Sequence, residues 1–506
     1  MEDKVLLAVN GTLMRGLELE SNLTEAGATF VMESQTEEAY RLYSIKDKYP
    51  AMIKGDNGKA IDVEVYEITE DGMNQVLEKE PEGLTIENIK LIDGQEVYGV
   101  VAEPFIVKRR KDITKYQGWR KYLVHLKKTR FVPLIVQAGV IALLVGLFFI
   151  LGAIKSNPES AEAMTRTVAR WYGAVATFIS KIFDFVSLTE LLFVFLGVLG
   201  IVLFVKFIRC LIKGKFIKGF SKLLTIGIIT IAVIDTYHIS CEAAYNRKPV
   251  PLPYYTEETD GAEFVDIYNY YIDDINYCSS VLPFQKSGDV VNYMTIKDIT
   301  SEVKKAYKII EGNSYYNPYF GSTKSMISSF IYREFQITGV TFSPLGEANI
   351  NYLIPVADIP FTIAHELAHT KGIMREDEAN QLAFYVCLNS EHPYLRFSAY
   401  GRYFYLMRSL TTKTYLNEDQ RTNQLHKAEP QLSRYESFEY KFWKEHDLLA
   451  KIGDFFNNLY IKSSGVKEGT TSYNGGTSQP PSENPQKPIK PNNYQGLFFE
   501  KYYRNK

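Results

Sequence analysis

Cysteine is scarce in this chain, and none of it is arranged for metal or redox work. The four residues, Cys210, Cys241, Cys278 and Cys387, form no CxxC pair, which argues against a cysteine-built zinc site or a redox motif. Cys241 and Cys278 could pair if their region is extracytoplasmic; the expectation is two free buried thiols. An excess of charge is also missing. With 57 basic and 59 acidic residues there is no general attraction to nucleic acid, and no nucleic-acid partner is expected. The first long apolar run begins too far into the chain to be a cleaved signal peptide. What is present is length and aromatic content. The 506 residues allow two or three domains, and the 36 tyrosines suit a membrane protein with a large folded outer domain.

Residues 131–154, FVPLIVQAGVIALLVGLFFILGAI, carry no charge and are long enough, as a helix, to cross a hydrocarbon core of about 30 Å. A second span is expected over 189–208, with Lys206 and Arg209 snorkelling at its end. A third, weaker one covers 221–241. Basic residues set the orientation. Ten of them, from Lys108 to Arg130, precede the first span, and the connection KFIRCLIKGKFIKGFSK between the second and third is also basic. The stretch from Lys155 to Glu190 holds only four Lys or Arg in 36 residues. These counts agree on a multi-pass protein of the cell membrane with a cytoplasmic N-terminus and everything after about residue 242 outside.

That outer region holds His365-Glu366-Leu367-Ala368-His369 within IPFTIAHELAHTKGIMREDEAN. Two histidines four residues apart share a helix face and can bind one Zn2+ ion, and Glu366 can take a proton from a metal-bound water. Pro360 and Gly372 bound the helix. Two templates offer a third ligand. The pattern HExxHxxGxxH matches Gly372 but places Arg375 where its last histidine belongs, and arginine cannot bind zinc. A second-helix glutamate followed four residues on by Asp or Asn fits Glu376 and Asn380. Glu376 is then the third ligand, with Glu378 as its alternative, and Asn380 orients a zinc histidine. The six residues between His369 and Glu376 make a short turn. Tyr400, Arg396 and Tyr403 are candidate oxyanion donors, and the strand-like SPLGEANINYLIP could pair with an extended peptide substrate.

The N-terminal region alternates like strands in AIDVEVYEI and EVYGVVAEPFIV. Asn10-Gly11-Thr12-Leu13 with Gly16, then YRLYSIKDKYPAMI and VEVYEI, resemble the gamma-glutamylcyclotransferase-like fold, and more closely the C-terminal domain of allophanate hydrolases. The resemblance implies that the backbone amides of the turn hold a small metabolite through its carboxylate or carbonyl oxygens. It also implies a glutamate acid/base, for which Glu80 is the nearest match, with Glu78 and Glu82 as rivals. Asn10 stands where cyclotransferases have tyrosine, and no amidase signature is present.

The stretches FSPLGEANINYLIP, PFTIAHELAHTKGIMREDEAN and LRFSAYGRYF, with GVKEGTTSY nearer the end, resemble a bacterial family of membrane-anchored HExxH proteins classed as a domain of unknown function. This implies three spans and a gluzincin-like zinc metallopeptidase domain. The expected fold is therefore multidomain. A small mixed α/β domain over 1–124 precedes the three spans, a mainly α-helical zincin-like domain follows over 242–463, and residues 464–506 form a disordered tail. The expected function is an integral-membrane zinc metallopeptidase with a cytoplasmic ligand-binding domain. The alternatives are a membrane sensor with a non-catalytic zinc domain, or a cyclotransferase-like enzyme anchored to the membrane.

Overall fold

The structure, a computed structural model, describes residues 4–129, 131–240, 250–310, 320–427, 430–463 and 487–506. Cys241, and with it the expected pairing to Cys278, lies outside the described residues, as does GVKEGTTSY. Cys210, Cys278 and Cys387 are free thiols. The chain divides into two compact units, Met1–Val136 and Gln137–Lys506.

The first unit is built on strands β1 (Lys4–Val9), β2 (Thr29–Gln35), β3 (Tyr40–Ile45), β4 (Tyr49–Lys54), β5 (Asp62–Thr69), β6 (Leu84–Lys90), β7 (Glu96–Ala102) and β8 (Lys111–Asp112). They form a five-stranded sheet ordered β2-β5-β1-β7-β6 and a smaller one ordered β4-β3-β8. β1 runs antiparallel to β5 and parallel to β7. The period of two along a strand sends alternate residues to opposite faces, and here both faces are covered. Val63 and Val65 of β5 join Trp119 and Tyr122 of the helix at Trp119–Thr129. Tyr66 and Ile68 join Leu23 and Val76 of the helices at Glu20–Glu25 and Glu70–Lys79 on the other side.

The long helices, numbered from here, begin with α1 (Val132–Ser156), which runs across the boundary between the units, and continue in the second unit with α2 (Pro158–Ile182), α3 (Leu188–Ile212) and α4 (Phe216–Ser240). Helices α1, α3 and α4 are long and apolar enough to cross a membrane. Helix α2 was not anticipated by the charge pattern, which treats 155–190 as a connection. It is started by Asn157, whose side chain accepts from the amides of Glu159 and Ser160, followed by Pro158 at the first helical position.

The rest of the unit is mainly helical around one small sheet. Its elements are α5 (Gly261–Val281), α6 (Ile296–Ile310), β9 (Ser322–Ser325), α7 (Ser329–Glu334), β10 (Gly339–Phe342), β11 (Glu347–Ile350), α8 (Ile359–Thr370), α9 (Glu376–Leu388) and α10 (Pro393–Arg408). They continue with α11 (Gln431–Glu445), α12 (Ala450–Ser463) and α13 (Asn493–Asn505). The sheet order is β10-β11-β9, with β11 antiparallel to β10 and parallel to β9. Ile363, Ala364 and Leu367 of α8, Phe384 of α9, Phe404 of α10 and Phe498 of α13 belong to a single core.

Helix α13 corrects the expectation of a disordered tail over 464–506. Residues 464–486 lie outside the described ones, but 493–505 form a helix started by a capping box of Asn492 and Gln495. Its Leu497, Phe498 and Phe499 are fully buried. The Pro- and Ser-rich run masks it in sequence, yet Tyr494, Phe498 and Tyr502 recur at the four-residue spacing of a helix face.

Candidate metal centre

Helix α8 has Pro360 in its first turn, where a missing amide costs nothing, and it ends at Thr370, with Lys371 as its cap and Gly372 just beyond. Gly372 adopts φ +85°, its amide bonds the His369 carbonyl at 3.0 Å, and the Ile373 amide bonds the Ala368 carbonyl at 3.1 Å. This left-handed termination favours glycine. It turns the chain back within six residues, so that α9 opens with Glu376 against the histidine face of α8.

Three donors converge there. Nε2 of His365 and Nε2 of His369 lie 3.0 Å apart. Glu376 places Oε2 3.1 Å from the first nitrogen and Oε1 3.6 Å from the second. Among the described residues this is the cluster of His, Cys, Asp and Glu whose ligand atoms all lie within 4.8 Å of one another. The hydrogen bond of His369 Nδ1 to the Ile373 carbonyl, 2.7 Å, puts a proton on Nδ1, so Nε2, which faces the cluster, is the nitrogen that could hold a metal once its own proton is displaced. Nδ1 of His365 is buried without a hydrogen-bond partner among the described residues.

The electrostatics are those of a buried carboxylate facing two imidazoles. Burial works against the His369 imidazolium, but the neighbouring Glu376 overcomes it and pushes the pKa up to about 9. Burial would raise Glu376, yet the two histidines hold its carboxyl far below the usual carboxylate range. Glu366 differs. Burial pushes its carboxyl up, and the attraction of His365 and His369 and a Thr341 hydrogen bond offset only part of that.

The placement of Glu366 depends on β10. Thr341 Oγ1 donates to its Oε2 at 2.6 Å and contacts its backbone carbonyl at 2.9 Å. Gly339 lies so close that a Cβ there would fall 2.6 Å from Glu366 Cγ and Oε1. His365, Glu366, His369 and Glu376 border a cavity of about 710 Å³, with β10 along one wall.

Other expected residues have different places. Asn380 lines the cavity, but no hydrogen bond joins it to either histidine, and the Ile373 carbonyl takes the orienting role at His369. Glu378 turns toward Arg375, its Oε1 3.5 Å from the arginine Nε, and stays out of the cluster. Tyr400 and Arg396 both bond Asp274 on α5, and Tyr403 stacks on Tyr494 of α13. Nearness in sequence misassigned all three as oxyanion donors, because they point from α10 into the core. The cationic residue of α10 that borders the cavity is Arg402, paired with Glu439 at 3.2 Å. The EANI segment is the middle strand of its sheet, so it cannot accept a further strand, and the open edge beside the site belongs to β10. The sequence reading missed Gly339 and Thr341, whose signal is a glycine opening the short β-rich run GVTF.

In the first unit, Asn10 is buried and donates from Nδ2 to the Val100 carbonyl at 3.0 Å and to Met52 Sδ at 3.3 Å. It therefore braces the sheet. Gly11 is pressed against Pro50, where a Cβ would meet Cγ at 2.7 Å. The Thr12 carbonyl accepts from the Leu19 amide, and Leu13 packs in the core with Leu23. Burial pushes Glu80 up to about 7, with one carboxyl oxygen enclosed and without a partner among the described residues, while Glu78 and Glu82 are exposed.

Known proteins resemble the two parts separately. The N-terminal part is 33% identical over 135 residues to the urea amidolyase of Lachancea kluyveri, covering 25% of this chain and 7% of that protein. It is 30% identical over 132 residues to the urea amidolyase of Saccharomyces cerevisiae, covering 24% and 7%. The chain thus spans about 7% of the length of the curated relatives it matches. A solved structure of c4763, a uropathogenic E. coli-specific protein, is 47% identical, covering 24% of this chain and 98% of that one at a TM-score of 0.24. Kluyveromyces lactis allophanate hydrolase is 29% identical, covering 24% and 22% at a TM-score of 0.24. Residues 5–124 match the allophanate hydrolase C-terminal domain. Residues 165–477, more than half of the sequence, match the proteins of unknown function described as DUF3810, and the chain belongs to that family.

Proposed function

We propose that this protein is an integral-membrane metallohydrolase acting on peptide bonds, in which His365, His369 and Glu376 hold a zinc ion and Glu366 is the general base. The observation that carries the reading is the approach of two imidazole nitrogens and a carboxylate to within 3.0–3.6 Å of one another beside a second, buried carboxylate, that of Glu366. Two nitrogens and one oxygen suit zinc, and three protein ligands leave one position open. When bound, the metal would polarise a carbonyl and lower the pKa of a water.

The chain's own residues supply the rest. Burial raises the proton affinity of Glu366, as a base working near neutral pH requires. Thr341 fixes one of its oxygens and Gly339 leaves room for it. The unpaired edge of β10 offers backbone donors and acceptors to an extended peptide lying along the cavity. The charge pattern around α1, α3 and α4 supports a cytoplasmic N-terminus and a metal centre outside, and a cytoplasmic signal from a reporter fused after residue 245 would refute that orientation.

The test of the site is direct. The full chain purified in detergent should carry about one zinc per molecule and lose it in the His365→Ala/His369→Ala variant. Glu366→Gln should keep the zinc and lose hydrolysis of an unfolded protein substrate. Zinc retained by the double variant, or full activity in Glu366→Gln, would overturn the reading.

A further inference from the structure

A second cavity, of about 660 Å³, lies along the opposite edge of the small sheet, against β9. The end of α2, the turn into α3 and the start of α6 complete its walls. Its charge is one-sided, with Lys181, Lys297, Lys304 and Lys324 against the single carboxylate of Asp184.

Two of the lysines are accounted for. Lys324 is buried, and its ammonium donates to the carbonyls of Ser180 at 3.0 Å and Phe183 at 2.8 Å. A cation is favourable at that C-terminal end of α2. Asp184 lies 3.5 Å from Lys324 and 3.7 Å from Lys297. Lys181 and Lys304 remain, and among the described residues no carboxylate is within ion-pair distance of either. Lys304 is half-buried, 5.7 Å from the Phe320 ring centroid. Burial, and then the repulsion of Lys181, pull its ammonium below the usual lysine range. Positive charge is thus gathered in a recess where the one carboxylate of Asp184, which offsets only part of the shift at Lys304, faces four ammonium groups.

The rest of the lining suits an anion with several oxygens. Thr300 and Thr323 meet through their hydroxyls at 2.8 Å, and Ser301 and Ser325 add two more. Lysines with hydroxyls around them form charge-assisted hydrogen bonds to phosphate. The location narrows the source. Asp184 to Ser187 border the cavity and lead directly into Leu188, the first residue of α3.

We propose that this cavity binds the phosphate of an anionic phospholipid headgroup at the foot of α3. The proposal rests on α3 crossing a membrane and is independent of the metal centre. A phosphate ester free in solution has the same chemistry, so the experiment separates the two sources. The full chain in detergent is examined by native mass spectrometry with phosphatidylglycerol, with zwitterionic phosphatidylcholine, or with inorganic phosphate.

Phosphatidylglycerol should be retained about tenfold better than phosphatidylcholine. Lys181→Gln/Lys304→Gln should abolish that preference, and Lys304→Arg, which keeps the charge, should preserve it. A saturable inorganic phosphate adduct without a phosphatidylglycerol preference would assign the site to soluble phosphate and overturn the headgroup. Equal retention of both lipids with no phosphate adduct, or a preference unchanged in the double variant while Lys304→Arg behaves as wild type, would overturn the site altogether.

Discussion

Gly339→Ala is the sharpest test of how β10 and Glu366 cooperate. The new methyl would sit 2.6 Å from Glu366 Cγ and Oε1 and 2.8 Å from Cδ, whereas ordinary contact begins near 3.4 Å. Something must move by about 0.8 Å, and the three nearest atoms all belong to one flexible carboxylate side chain rather than to backbone. The fold should therefore survive, with stability lowered by about 1–3 kcal/mol. Glu366 would swing away and lose the 2.6 Å bond from Thr341. A catalytic group misplaced by about 1 Å costs on the order of 10²-fold in rate. The assay is hydrolysis of an unfolded protein, with zinc content and thermal unfolding measured on the same sample. The expected result is a rate about a hundredfold lower with zinc retained and a melting temperature lowered by only a few degrees, since Gly339 touches none of the three ligands among its nearest neighbours. Wild-type activity would refute the claim that this contact positions Glu366.

Two further predictions concern the C-terminal helix. Lys501 is buried with its ammonium 2.6 Å from the Leu388 carbonyl, and burial, only partly offset by Asp274, lowers its pKa from 10.5 to about 8. Between about pH 8 and 10.5 the unfolded chain binds more protons at this position, so stability should rise with pH across that window, by at most about 3 kcal/mol. Lys501→Met should flatten that rise, and equal slopes for variant and wild type in thermal unfolding against pH would contradict it. Phe498, whose ring centroid lies 4.8 Å from those of both Tyr271 and Phe384, should cost about 3–5 kcal/mol when replaced by alanine. An unchanged melting temperature would mean that the helix does not pack as described.

The legible parts of the chain were those where a local pattern determines the outcome. The i, i+4 histidines, the Pro360 start and the Gly372 stop are properties of one helix, and Glu376 follows because a six-residue reversal leaves α9 little choice of direction. The apolar runs of α1, α3 and α4 are equally local. Misreadings arose where partners come from far away in sequence. Tyr400 and Arg396 meet Asp274, and Tyr403 meets Tyr494. Helix α2 was passed over because its amphipathic 25 residues lack the unbroken apolar run of a span. Helix α13 was lost behind its Pro-rich approach, although its capping box and aromatic spacing were in view.

The strand β11 shows why alternation alone misleads. Ala348 and Ile350 join the core beneath α8, so the intervening Glu347 and Asn349 read as a solvent face. Both are instead buried, a costly arrangement unless each polar atom finds a partner. The partner is the start of α3. Glu347 accepts from the amides of Leu188 at 3.2 Å and Thr189 at 2.9 Å and from the Thr189 hydroxyl, and Asn349 accepts from Ser187 at 2.6 Å. A helix N-terminus has unpaired amides and partial positive charge, and a carboxylate from another element satisfies both. Asn349 also donates to the Val340 carbonyl at 3.2 Å. Val340 lies between Gly339 and Thr341, the two residues that border Glu366. A continuous set of hydrogen bonds therefore runs from the first turn of a helix long enough to cross a membrane to the strand that positions the candidate base. The candidate metal centre is held at a fixed place relative to the foot of α3, and its cavity wall cannot shift without breaking contacts that a buried carboxylate requires.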